Sequence, residues 1–144
     1  MQFDFWDICA KNYSDPMPKH GSREKFILDS YLMLQRYLYE VDEIALDELI
    51  ISQTRNKAVI VGNITAISSQ ITGCLNEFSK GIKKYKLNED YLNKDTSYLM
   101  EPFEKDLSSS RRQSRDACTF RDLSRDVEFL LNKLRNYSCR RNNR

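Results

Sequence analysis

The stretch AVIVGNITAISSQITGCLNEF, residues 58–78, decides the fold. Its β-branched residues allow a hairpin, with Val59-Ile60-Val61 and Ile64-Thr65-Ala66 as strands and Gly62-Asn63 as the turn. Ile60, Ile64, Ile67, Ile71, Cys74/Leu75, Phe78, Ile82 and Tyr85 instead trace one helical face over seven turns. That period continues unbroken past any hairpin, so a helix is expected. Ala58 to Asn76 carries no charge, and its polar positions are Ser, Thr, Asn and Gln. Asn63, Ser68, Ser69, Gln70 and Asn76 are costly in lipid, so a membrane span is not expected. A helix this mild on its polar side is expected to be central in a bundle, or to lie against a partner.

Upstream, Phe26, Ile27, Tyr31, Leu34, Leu38, Val41, Ala45 and Leu49 form a longer stripe, widened by Leu28, Leu32, Leu46 and Ile50. Neither Gly nor Pro interrupts residues 22–61. The spacing predicts one helix from a Ser22 cap to about Ser52. Its second half gathers Glu40, Asp42, Glu43, Asp47 and Glu48 against its own dipole, so basic residues are expected to compensate. Before it, residues 13–21 read as a loop broken by Pro16, Pro18 and Gly21. Phe3, Phe5, Trp6, Ile8 and Tyr13 form an aromatic opening, read as a clasp on the core or as a motif for a partner's groove. Asp4 and Asp7 sit where a secretory signal needs basic and apolar residues.

Downstream, residues 88–107 suggest one or two short helices, and residues 107–115 read as a flexible basic loop. Within it, Arg111-Arg112-Gln113-Ser114 matches a basophilic kinase pattern, with Ser114 as acceptor. The last helix is expected from about Asp116 to Tyr137, with a frayed basic tail at 139–144. Its seam is Phe120, Leu123, Val127, Leu130, Leu134 and Tyr137. Arg121, Arg125 and Lys133 fall on the opposite side at 100° per residue, with Phe129 among them. Phe129 is therefore either a satellite core contact or the anchor of a second binding surface formed with Arg121, Arg125, Lys133 and, from the opening, Trp6.

Length suits one domain, residues 1–144. Four Gly and three Pro favour a few long elements over many short strands. The fold class expected is all-α: an antiparallel helical bundle of three long helices plus one or two short ones, with coiled-coil-like seams.

Charge is uneven. Residues 1–106 hold 13 Lys+Arg against 17 Asp+Glu, a net of −4, whereas residues 107–144 hold 10 against 4, a net of +6. Either the two halves attract one another within the fold or the basic end meets a polyanion, but Asp116, Asp122, Asp126 and Glu128 interleave its arginines and oppose phosphate binding. The alternation reads as a solvated, salt-bridging face, or as one that pairs with the acidic Glu40–Glu48 patch, which ranks a protein partner or a second copy above nucleic acid.

Catalytic groups are scarce. His20, the one histidine, lies in the Pro/Gly loop with no pattern suggesting a nucleophile or base beside it. No Walker loop, dinucleotide fingerprint or H-E-x-x-H occurs. Cys9, Cys74, Cys118 and Cys139 lack metal-ligand spacing, so no metal or cofactor is expected. Cys118 and Cys139 stand about 31 Å apart along one helix and cannot bond to each other while it is intact. Reduced thiols in a cytoplasmic or nuclear protein are the expectation. Asn12, Asn63 and Asn136 each begin a glycosylation tripeptide, which matters only in a secreted chain.

Thr119 to Arg140 carries T-F-R-x-L-x-R, F-L-x-x-K-L-x-x-Y and a closing C-R, and resembles the last helix of erythropoietin-type four-helix cytokines. F-I-L-D-S…R-Y-L at Phe26–Leu38 is similar to their first helix. The resemblance covers about a quarter of the chain and implies a secreted, receptor-binding ligand. Asp29 stands where that family has a disulfide cysteine, and the first two long helices are joined by a few residues where the family has a long crossover. The function expected is therefore a non-catalytic helical subunit or adaptor that assembles through exposed helix faces. A secreted ligand and an RNA- or DNA-binding bundle are the alternatives.

Overall fold

A computed structural model describes residues 23–52, 55–93, 103 and 108–142, with the side chains at 23, 91, 93 and 136–142 outside that description. The loop at 13–21, the aromatic opening with Trp6, the Ser22 cap, His20 and most of 94–107 also lie outside the described residues. The fold is all-α, as expected of a helical bundle. Its elements are α1 (Arg23–Ile50), α2 (Lys57–Lys84), the single turn α3 (Asp90–Asn93) and α4 (Ser109–Asn142). Among the described residues there is no strand, so residues 58–78 form a helix and not a hairpin.

The chain falls into two compact units, His20–Leu107 and a second made of Met1–Lys19 with Ser108–Arg144. In the first, α1 and α2 form an antiparallel helical hairpin. The Ser68 hydroxyl donates to an Asp42 carboxylate oxygen at 2.5 Å, and the Asn88 amide donates to Glu24 at 3.2 Å. These two bonds set the register and bring Val59 level with the end of α1.

The two helices divide the burial unevenly. Along α1, Phe26, Leu28, Tyr31, Met33, Leu34, Tyr37, Val41 and Ile44 are buried, together with Ser30, Arg36, Glu40 and Asp47. At 100° per residue these positions cover more than half of the helix circumference. On α2 only Ile64, Ile71, Leu75 and Ile82 are buried, in one narrow stripe. Ile60, Ile67 and Phe78 are half-buried, whereas Cys74 and Tyr85 are exposed. The helix expected to be central, or else to lie against a partner, is thus the exposed member of the hairpin, and the charged α1 is the buried one. Chemistry explains how α1 tolerates burial. Arg36 and Glu40, four residues apart on one face, bond at 3.0 Å with side chains 4% and 10% exposed. The compensation expected for the acidic half of α1 comes in part from α1 itself.

α2 is long and apolar enough to cross a membrane, by length and composition. It ends in a Schellman motif: the Leu87 amide donates to the Ile82 carbonyl and the Lys86 amide to the Lys83 carbonyl. That motif places Lys86 at φ 51°, the left-handed conformation usually given to Gly.

In the second unit, α4 begins seven residues earlier than the Asp116 start expected. Ser108 caps it, its hydroxyl accepting the Arg111 amide at 3.4 Å and its carbonyl the Arg112 amide at 2.9 Å. Residues 109–115, expected within a flexible loop, are helical, and the tail expected to fray from 139 is helical through Asn142. Arg and Gln favour helix intrinsically, and the cap supplies the start signal.

Candidate functional site

The buried face of α4 is not the one its apolar residues mark. Thr119, Asp122, Leu123, Asp126 and Leu130 are buried, while Phe120, Val127 and Leu134 are half-buried and Leu131 is 45% exposed. The buried stripe is rotated roughly 50° from the apolar seam, toward the aspartates. Asp122 and Asp126, expected on a solvated face, are 2% and 0% exposed.

Arg125 and Arg121 lie beside those carboxylates. The Arg125 guanidinium lies 3.3 Å from Asp122 and 3.7 Å from Asp126, and Arg121 lies 3.4 Å from Asp122. Arg115 pairs with Asp116 at 2.7 Å about two turns before. Arg125 is half-buried in this arrangement, with both aspartates within ion-pair distance. Arg121 and Lys133 remain exposed. Phe129 is half-buried at the border of the rotated stripe, with the Lys133 ammonium 5.8 Å from its ring centre. The anticipated constellation therefore separates: Lys133 and Phe129 meet, Arg125 turns to the aspartates, and Trp6 lies outside the described residues. Ser114 is exposed inside α4, not in a loop.

A different cluster carries more exposed apolar surface. Of the seven large hydrophobic residues most open to solvent among the described residues, five fall between positions 46 and 59: Leu46 (43%), Leu49 (55%), Ile50 (69%), Ile51 (52%) and Val59 (62%). They occupy the last turn of α1, the connection and the first turn of α2, which the antiparallel register gathers at the closed end of the hairpin. Leu46, Leu49 and Ile50 were expected in the core, because the α1 stripe runs through them. α2 runs alongside them in this register, and Leu46 and Ile50 are exposed because they fall at about 200° and 240° from Phe26, outside the arc that most buried α1 residues occupy. The signal for this was present in sequence: a short connection beginning Ile51 where short connections are normally polar.

The cysteines also depart from expectation. Cys118 is disulfide-bonded, whereas Cys74 is a free, exposed thiol. Cys139 lies on the same unbroken α4, about 31 Å along its axis, so the bond runs to a residue outside those described. Comparison with protein-family models, curated proteins and solved structures finds no match.

Proposed function

We propose that this chain is a non-catalytic helical interaction protein that binds a protein partner through the apolar tip of the α1–α2 hairpin. The observation carrying the reading is the grouping of Leu46, Leu49, Ile50 and Ile51 in solvent, flanked by Val59. Scattered exposed apolar residues are ordinary on soluble proteins, but a contiguous group is characteristic of association surfaces. Branched aliphatic side chains on a rigid helix end lose little entropy when covered, which suits them to the centre of an interface. Nucleic acid is the weaker reading, because Arg125 is engaged by two buried aspartates and the interleaved carboxylates remain beside Arg121.

A secreted helical ligand is the second reading, favoured by the Cys118 disulfide. Disulfides persist in oxidising compartments and are rare in the cytosol. The two readings are compatible, since a ligand also acts by covering an exposed helix face.

The test is a quantitative pull-down with mass spectrometry, run on the wild type, Ile50→Glu and Phe129→Glu, with helicity and light scattering checked for each. Ile50→Glu is expected to stay folded and to lose its partner, or its self-association, by about tenfold or more. Full binding by a folded Ile50→Glu, with loss in a folded Phe129→Glu, moves the site to α4 and overturns the hairpin-tip reading.

A further inference from the structure

The exposed side of α2 holds a modification signal that the fold presents in the open. Asn63-Ile64-Thr65 matches the N-glycosylation tripeptide. Asn63 and Thr65 are exposed, while Ile64 between them is 7% exposed and belongs to the buried stripe. Around Asn63 the helix surface is uncharged from Ala58 to Asn76. It is also sparse: a side-chain carbon added at Gly62 or Gly73 would meet nothing within 4 Å. The third observation is the Cys118 disulfide, the bond expected of a chain that has passed through the oxidising compartment where this modification is made.

We propose that Asn63 carries an N-linked glycan that shields the uncharged outer side of α2. The proposal rests on the secretory reading above. The transfer takes place on the extended chain, before α2 forms, because in the folded helix the Thr65 hydroxyl is turned back onto the Val61 and Gly62 carbonyls at 2.9 and 3.0 Å. The donor is an oligosaccharide on a polyprenyl pyrophosphate. A bond forms between the Asn63 amide nitrogen and the anomeric carbon, and the bond from that carbon to the pyrophosphate oxygen breaks. The pyrophosphate leaves with the electron pair, the amide gives up one proton, and nothing is oxidised or reduced. When α2 then folds, burying Ile64 leaves the sugar in solvent. Polar hydration by the glycan replaces the charged side chains that exposed helices normally use for solubility. Val59 lies one turn from Asn63 on the same flank, so the glycan borders the hairpin tip and leaves Leu46, Leu49 and Ile50 of α1 open to a partner.

The experiment uses the full-length protein purified from cells that make it. Peptide mapping is done before and after peptide N-glycanase, and the state of Cys118 is read by alkylation with and without reduction. The expected result is an oxidised Cys118 and a residue-63 peptide that enzyme treatment converts from a glycan-bearing form to aspartate. An oxidised Cys118 with unmodified Asn63 overturns the glycan and leaves the secretory reading standing. A reduced Cys118 with unmodified Asn63 overturns both. In a secreting host, Thr65→Ala is expected to abolish the mass increase at Asn63 and Thr65→Ser to retain it. A Thr65→Ala chain that keeps the modification, or a folded and secreted Thr65→Ser chain that lacks it, contradicts the assignment.

Discussion

α1 and α2 are helices of equal length, 28 residues each, and they invert the usual relation between charge and burial. α1 holds half of the acidic groups of its unit and is buried over more than half its circumference. α2 has a charge-free run from 58 to 76 and buries four residues. The difference teaches that a helix is buried by what its charges do, not by how many it has. Arg36 and Glu40 neutralise one another at 3.0 Å, and the Arg36 guanidinium also lies 5.1 Å from the Tyr39 ring. α2 has no charge to pair between 58 and 76, and the Lys80–Glu77 pair beyond that run, at 3.0 Å, is exposed.

The hardest test of that contrast removes the pairing. Arg36→Ala leaves the Glu40 carboxylate in a buried site, and breaking a buried pair in this way costs about 3–5 kcal/mol. Urea denaturation is expected to show that loss, whereas replacing both residues, Arg36→Met with Glu40→Leu, recovers most of it. A loss below about 1 kcal/mol for Arg36→Ala is the value of an exposed pair and would break the comparison.

The same contrast explains which parts of the molecule were legible in sequence. The helical nature of residues 58–78 was readable, because the Ile64–Ile71–Leu75–Ile82 period outruns any hairpin at Gly62-Asn63. Which helix sits inside was not, since absence of charge resembles burial until the i,i+4 partner of each charge is known. The same limit hid the buried face of α4. Asp122 and Asp126 look solvated in a string of arginines, yet both are buried, with the Arg125 guanidinium 3.3 and 3.7 Å away. The start of α4 was missed because 109–115 has no apolar period, and only the Ser108 cap betrays it. The hairpin tip was hidden by its own regularity: Leu46, Leu49 and Ile50 continue the α1 stripe, and nothing in their spacing marks them as exposed. Phe129 was recognisable as an oddly placed aromatic, but its position follows from the rotation of the whole α4 stripe, which no single residue reveals.

A smaller effect tests how α2 ends. Lys86 holds the left-handed position of the Schellman motif, where a side chain costs roughly 1–2 kcal/mol relative to Gly. Lys86→Gly removes that strain but adds unfolded-state entropy, so a net gain of about 0.5–1 kcal/mol is expected in the urea midpoint. An unchanged or lower midpoint would mean that the Leu87–Ile82 closure does not fix the end of α2.

The smallest effect sharpens the comparison most, because it asks whether the open side of α2 is open for a reason. Gly73 sits mid-helix, exposed, with nothing within 4 Å of an added side-chain carbon. Gly in a helix interior costs about 0.5–1 kcal/mol relative to Ala, so Gly73→Ala is expected to stabilise the chain by that amount. The corresponding change in buried α1, Ser30→Ala, instead removes a hydroxyl that donates to the Phe26 carbonyl at 2.6 Å. It leaves that carbonyl its helical partner, so a change of well under about 1 kcal/mol in either direction is expected there. If Gly73→Ala stabilises the isolated chain and leaves partner capture intact, the outer side of α2 is solvent-facing in the complex as well, as a glycan at Asn63 requires. If it stabilises the chain yet weakens capture, a partner backbone approaches Gly73 closely, and the binding surface extends from the hairpin tip along α2.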